Sequence, residues 1–294
     1  TYDSQGNATI ASSKADQVLS AALLNVTGEE QVTVNIITGN GEYTMSSFES
    51  LLKNNNFDVT SKNLATEDMD SDCKLAVLIS PHSDLSPEVI NKLDKFLYND
   101  GNYGKTLLYT ADAEQKPLSN LESFLKEWGV EIGEGAVFET KENRVSNYHP
   151  FYAVADYVDE TYLGMLRDKT TPMLMPISRP LSVLFEYRNN NSTTTLLEFG
   201  KTAAVRPSDA PDNFNQADAT LRGPIPALVL ASYSISDKET GKVQKRSNIL
   251  VSGSSGMLDS YSIDNSSLAD SEYLLNVFNT LTEKSETVQI RSKT

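Results

Sequence analysis

Short, apolar, β-branched runs alternate along this chain with stretches whose apolar residues recur at helical spacing. That alternation predicts a layered α/β domain. "VTVNII" (32–37) is the first such run; Gly39-Asn40-Gly41-Glu42 follows it, and Met45, Phe48, Leu51 and Leu52 then mark an amphipathic helix that dissolves in Asn54-Asn55-Asn56. "FDVTSKNL" (57–64) reads as a second strand. "KLAVLIS" (74–80) is nearly unbroken in its apolar run, as expected of a strand covered on both faces. In "DLSPEVINKLDKFLYNDG", Ser86 takes the N-cap, Pro87 the first helical position, and Glu88 the positive end of the dipole. Val89, Ile90, Leu93, Phe96 and Leu97 form its buried stripe, and Gly101 supplies a stop. "KTLLYTA" (105–111) is the next strand. Ser119 and Glu122 then predict a capping box for a helix with Leu121, Phe124, Leu125 and Trp128 inward, ended by Gly129. Ahead of all these, Ser13 caps a predicted helix carrying Val18, Leu19, Ala22, Leu23 and Val26.

From about 130 to 215 the periodicity weakens, and short β-like pieces ("GAVFET", "LSVLFEY", "TTTLLEFG") alternate with polar loops. Order returns with "PIPALVLASYSI" (224–235) and "RSNILVSGS" (246–254), which read as a hairpin around a charged turn. A last helix starts near Asp270 and carries Tyr273, Leu274, Val277, Phe278 and Leu281. The expected fold is α/β, with three layers and a mostly parallel sheet. One composite domain spans 31–284 with an irregular β-rich insertion at about 140–215; residues 1–30 pack on it and 285–294 form a tail.

Composition narrows the functional classes. With 39% hydrophobic residues, 13 Tyr and 10 Phe, the 294-residue chain is that of a folded protein with a substantial core. Twenty-five Lys+Arg against 40 Asp+Glu give a net charge of −15, a field that repels phosphate backbones and disfavours nucleic acid as a partner. No run of about 18 apolar residues spans a membrane, and no signal peptide is present. The sequence opens at Thr1-Tyr2-Asp3 without a Met, which suggests an excised fragment. A single cysteine, Cys73, precludes an intramolecular disulfide and a Cys-based metal site. The Asn-x-Ser/Thr triplets at Asn7, Asn25, Asn190, Asn191 and Asn265 fall within chance for so Asn- and Ser-rich a chain.

The candidate chemistry centres on the Gly39–Glu42 turn. Backbone amides at a helix N-terminus can cradle a phosphate. The dinucleotide fingerprint, however, needs a glycine where Thr44 stands, the phosphate loop needs a lysine, and Glu42 puts negative charge where a phosphate would sit. The turn still lies at the carboxyl end of a predicted parallel strand, where α/β folds bind ligands. Cys73 precedes a strand between acidic residues, which is no setting for a nucleophile. His82 and His149, each beside a proline, are distant in sequence, so a two-His metal site or a Ser/His/Asp triad around "VSGSSG" (251–256), with Ser255 one place out of register, has little to draw on. The acidic stretch at 68–72 lacks the glycine and closing glutamate of a calcium loop. Arg179, in "PISRPLSV", fits a structural ion pair better than an anion site. The residues retained for a ligand or partner loop are Gly39, Asn40, Gly41, Glu42, His82 and Arg179; no catalytic, cofactor or metal residue is assigned.

Several segments together, "VNIITGNGE", "LAVLISPHSDLSPEVINKLDKFLYNDGNYGKTLLYTAD", "LESFLKEWGVEIGEGAVFE", "SRPL" and "LLNVFNTLTEK…VQIRSKT", resemble the extracytoplasmic part of GldG-like proteins over roughly residues 10–294. These are membrane-anchored auxiliary components of an ABC-type transport system, tied to gliding motility in some bacteria. The most specific element is the "P-x-x-D-L-S-P-E" turn with its "EWGVEIGEG" sequel. The family's first loop usually reads Gly-His-Gly-Glu, and Asn40 replaces that histidine here. The resemblance implies a fold akin to the class I glutamine amidotransferase or flavodoxin type without an established catalytic set. It also implies a membrane-spanning helix beyond "IRSKT" and another before Thr1.

The expected function is therefore a non-catalytic binding or scaffolding domain on the extracytoplasmic face of a bacterial membrane, partnering the permease or ATPase of an ABC-type complex and needing no cofactor. Two rivals stand beside it. A degenerate amidotransferase-like hydrolase needs a Cys-His pair after a strand. A solute receptor needs two lobes and an aromatic cleft, for which Tyr148, Phe151, Tyr152, Tyr157 and Tyr162 leave room.

Overall fold

The computed structural model describes residues 31–284, Met165 excepted, so the helix predicted after Ser13, the segment 1–30 and the tail 285–294 lie outside the described residues. The first half follows the predicted order: β1 (Val32–Thr38), α1 (Ser46–Asn54), β2 (Phe57–Asn63), β3 (Leu75–Ile79), α2 (Pro87–Tyr98), β4 (Thr106–Thr110) and α3 (Ser119–Glu127). The weakly patterned stretch holds eight strands, all but β11 short: β5 (Val130–Ile132), β6 (Ala136–Glu139), β7 (Tyr152–Tyr157), β8 (Met173–Pro176), β9 (Leu181–Val183), β10 (Tyr187–Arg188), β11 (Asn191–Phe199) and β12 (Ala203–Arg206). The predicted hairpin is β13 (Ile225–Ser236) with β14 (Val243–Ser252), and α4 (Ser260–Ile263) and α5 (Asp270–Leu281) follow.

The domain is mixed α/β, and its central sheet has a parallel block of strands in the order β2-β1-β3-β4-β14. Beyond β14 the same sheet continues antiparallel through β13, β11, β7 and β8, with β10 paired to β11. The region at 140–215 is thus not a simple appendage: β7, β8, β10 and β11 hydrogen-bond into the main sheet, while β6 with β12 and β5 with β9 make two small ladders.

Successive residues of a strand point to opposite faces, and that splits the core in two. Leu75, Val77 and Ile79 of β3 meet Phe48 and Leu52 of α1 and Tyr273, Leu274, Val277 and Phe278 of α5. Ala76 and Leu78 meet Val89, Leu93, Phe96 and Leu97 of α2 and Leu121, Phe124 and Leu125 of α3. All five residues of β3 are buried, which explains the unbroken apolar run. Each such Leu or Phe withdrawn from water contributes about 1.5–3 kcal/mol before chain entropy is counted.

Helix ends follow local chemistry, with two corrections. Ser86 Oγ accepts from Val89 N–H at 3.3 Å and Pro87 opens α2, as read. Asn99, in the left-handed region, ends that helix two residues before Gly101. The capping box at Ser119 does not form. Asp84, from the loop before α2, accepts from Asn120 N–H (2.8 Å) and Leu121 N–H (3.3 Å) in its place, and the Glu122 carboxylate is shared between Leu118 N–H and Arg179.

Candidate functional site

The Gly39–Glu42 turn closes on itself. Gly39 and Gly41 have φ of +116° and +80°, a region that favours glycine, and a Cβ on Gly39 would lie 2.5 Å from Asn63 Oδ1. Glu42 folds back so that its carboxylate accepts from Asn40 N–H at 2.8 Å and from Asn40 Nδ2 at 3.1 Å. The amide that would hold a phosphate is already satisfied by the protein's own anion. Asn40 C=O in turn accepts from the N–H groups of His82 and Ser83, both at 2.9 Å, which staples the loop after β1 to the loop after β3. His82 is exposed, its ring edge-on to Tyr43 with centroids 4.8 Å apart.

Arg179 lies elsewhere and is structural. It is 4% exposed; Nε donates to Gly133 C=O at 2.9 Å, and Nη1 and Nη2 face Glu122 Oε1 at 3.4 Å. The residue therefore ties the loop after β8 to α3, and its charge is buried against Glu122 rather than offered to an outside anion. Of the six residues retained from the sequence, five share one edge of the sheet (Gly39, Asn40, Gly41, Glu42 and His82) and Arg179 is not used there.

That edge carries a cleft of about 390 Å³. It opens where β1, β4 and β14 end, at the carboxyl edge of the parallel block. Tyr43, Thr44 and Met45 come from the loop after β1, Asp112 and Glu114 from the loop after β4, and Ser255 and Gly256 from the turn after β14. Asp259 and Tyr261 at α4 close one side; Tyr152 of β7 with Pro176 and Ile177 closes another. Ser255 Oγ donates to Asp112 Oδ2 at 3.0 Å, and Asp112 Oδ1 accepts from Glu114 N–H at 2.8 Å, so this carboxylate organises its own loop. Asp259 caps α4, accepting from Tyr261 N–H at 3.1 Å. Tyr261 Oη and Ser146 Oγ are 2.8 Å apart, and the rings of Tyr152 and Tyr261 meet edge to face at 5.7 Å. Burial, then the charges of Asp112 and Glu114, raise the Tyr43 hydroxyl above the ordinary tyrosine value.

Sequence reasoning missed Tyr43, Asp112, Ser255 and Tyr261 as a group, because 69 to 218 residues separate the later three from Tyr43 along the chain. One signal was available: Tyr43, Asp112 and Ser255 each follow closely on a predicted strand, and the carboxyl ends of parallel strands converge.

The groups weighed for catalysis do not assemble. Ser255 sits at the cleft, but its partner is Asp112; among the described residues neither histidine hydrogen-bonds to Ser255 or Asp112. Cys73 is fully buried, its Sγ 3.3 Å from Leu75 C=O, and desolvation pushes the thiol up to about 11, so it stays protonated. Among the described residues no group of three or more His, Cys, Asp or Glu is arranged to hold a metal ion. Of the five aromatic residues considered for a receptor cleft, Tyr152 lines this one. Tyr157 donates to Thr171 C=O, Tyr162 is buried, Phe151 packs on Phe138, and Tyr148 is exposed.

No protein-family model matches the chain, and no curated protein matches it. Among solved structures, the chain is similar to the mmIFT52 N-terminal domain, with a TM-score of 0.59 and 18% identity over 87% of this chain and 100% of that one. Fainter likenesses reach PurLQS from Thermotoga maritima (TM-score 0.38, 10% identity, 86% of this chain and 100% of that one). A protein described as a GMP synthase subunit, from Thermoplasma acidophilum, gives a TM-score of 0.40 at 10% identity, over 87% of this chain and 96% of that one. The latter two are too remote to bear on the site; the first is a likeness of fold.

Proposed function

We propose that this is a non-catalytic binding or scaffolding domain, held at the extracytoplasmic face of a bacterial membrane, that serves an ABC-type transport complex through its carboxyl-edge cleft. The observation that carries the binding part is the cleft itself. It lies where α/β folds take ligands, Asp112 and Asp259 help to hold its loops, and among the described residues no histidine reaches Ser255 in it. The transport and membrane parts rest on the GldG-like segments of the sequence. We also infer the finer fold as the class I glutamine amidotransferase or flavodoxin type. The parallel order β2-β1-β3-β4-β14 supports this, matching the 2-1-3-4-5 order whose ligands bind at the β1/β3 switch point.

A solute-receptor reading draws support from the aromatic walls of the cleft. Against it, β7, β8 and β11 join the one sheet and form no second lobe.

Protease treatment of intact cells, followed by affinity purification of the full-length protein in mild detergent, tests the proposal. Digestion of the domain from outside and recovery of a permease and an ATPase in stoichiometric amounts are expected. Protection until the membrane is breached, or purification free of both components, overturns it.

A further inference from the structure

Three independent features of the cleft point to one ligand chemistry. Its volume, about 390 Å³, falls within the range of small-molecule sites, roughly 300–1,000 Å³. Its walls include the rings of Tyr43, Tyr152 and Tyr261, and ring faces attract cations. Its charged groups are Asp112, Glu114 and Asp259, and among the described residues no Lys, Arg or His lines it. Among the described residues none of these three carboxylates has a salt-bridge partner within the chain. Some acids elsewhere do have such partners, as Asp70 has Lys62 at 2.7 Å and Asp156 has Arg144 at 2.9 Å.

We propose, building on the binding reading above, that the cleft takes a small organic cation, an alkylammonium or guanidinium compound, whose charge faces Asp112, Glu114 and Asp259 while its carbon skeleton lies against the three tyrosines. A bare metal ion does not fit, because the carboxylates do not gather into a coordinating group among the described residues. An anion is repelled by all three. A neutral ligand makes no use of their charge. An extended cation with apolar carbons satisfies both kinds of wall.

The same chemistry is found on a free amine and on a Lys or Arg side chain of a partner protein. The size and concavity of the cleft favour the free amine. Isothermal titration of the full protein with agmatine, spermidine and choline tests this, with 3,3-dimethyl-1-butanol as the uncharged isostere of choline and an arginine-containing peptide as the side-chain arm. At least one free amine is expected to bind, more tightly than the peptide and far more tightly than the isostere. Affinity is expected to fall severalfold as salt rises from low values to about 0.3 M. Glu114→Gln is expected to weaken binding about fivefold and Tyr261→Leu about threefold. Glu239→Gln, an equal loss of charge in the distant β13–β14 turn, should change nothing, and melting temperatures of the three variants show that each is folded.

Equal affinity for the isostere, equal weakening by Glu114→Gln and Glu239→Gln, or no heat from any cation up to about 10 mM overturns the proposal. Binding by the peptide alone overturns the free-amine source. A neutral or anionic compound that binds and is lost on cleft mutation overturns the cation while leaving the binding reading intact. Failure of the binding reading itself shows separately, in the cell-surface and purification experiment.

Discussion

The two halves of the sheet obey different rules. In the parallel block, the inner strands β3 and β4 are five residues long and buried throughout, and β1, β4 and β14 end at the cleft. In the antiparallel half, β11 and β13 are long, β13 ends in the half-exposed Tyr233-Ser234-Ile235, and the four N-terminal residues of β14, which pair with that end, are exposed. The parallel half supplies Tyr43, Asp112, Ser255 and, just past the last strand, Asp259 and Tyr261; the antiparallel half contributes a wall, Tyr152 and Pro176. The division teaches that the site belongs to the parallel topology and that the antiparallel strands complete it from one side. The β13–β14 ladder joins the halves, and buried side-chain contacts reinforce it, among them Arg179 with Glu122, and Asp270 of α5 accepting from Leu174 N–H of β8 at 3.1 Å.

If those contacts make one cooperative unit, a core deletion on either side should unfold both. Leu78→Ala in the parallel block and Leu197→Ala in the antiparallel half, each at a fully buried position, are expected to cost about 2–5 kcal/mol. Urea transitions followed by Trp128 fluorescence and by far-UV circular dichroism should coincide in both variants. Separate transitions would break the comparison into two domains.

Asp270 gives the next largest effect. Burial raises its carboxyl from the ordinary range to about 8, so the folded state binds a proton that the unfolded chain releases near pH 4. This group's contribution is therefore most favourable below about pH 4, declines as pH rises towards 8, and is constant above. Asp270→Asn keeps an acceptor for Leu174 N–H and removes the titration. The variant is expected to gain on the wild type by about 4 kcal/mol between pH 5 and 8.5, read by urea unfolding at both values. An unchanged difference contradicts the buried-acid account.

Arg179→Met removes one partner of the tie and leaves Glu122 facing an apolar side chain. A loss of about 2 kcal/mol is expected. Glu122→Gln in the Arg179→Met background should recover part of it, a result that an isolated packing defect does not produce. Smallest of all, Glu114→Gln should leave stability within about 0.5 kcal/mol, because its side chain is exposed and holds nothing in the fold.

The parallel half was largely legible in the sequence for a physical reason. A strand covered on both faces reads as an apolar run, and α2 carries its own cap in Ser86 and Pro87. The antiparallel half was less so: "YAVADY" and "MLMP" are short, are interrupted by polar loops, and owe their place to pairing with each other and with β11. Ser119 and Glu122 matched a capping pattern, yet Asp84, 35 residues before Ser119, reached the amides at the start of α3 instead. A local sequence pattern holds no record of such long-range competition. The turn at Gly39–Glu42 was legible as the connection from β1 to α1, since its glycines and the helical pattern after it are local facts. The cleft beside it was not, because Asp112, Ser255 and Tyr261 reach it only through the sheet order.

The proposed binding cleft lies at the carboxyl edge, while a second cleft of about 490 Å³, lined by Lys74, Lys245 and Arg246 among others, lies at the opposite edge. Lys74 Nζ faces Thr282 C=O at 3.5 Å, Lys245 Nζ donates to Gly101 C=O at 2.7 Å, and Arg246 Nε donates to Ser234 Oγ at 3.0 Å, so these cations are already engaged by the fold. Amide NMR of the labelled protein, titrated with a mixed set of cationic, neutral and anionic fragments, separates the two edges directly. The account predicts shifts that cluster at Tyr43–Met45, Asp112–Glu114 and Ser255–Tyr261; shifts that cluster at Lys74, Lys245 and Arg246, or that spread evenly over the surface, would contradict it.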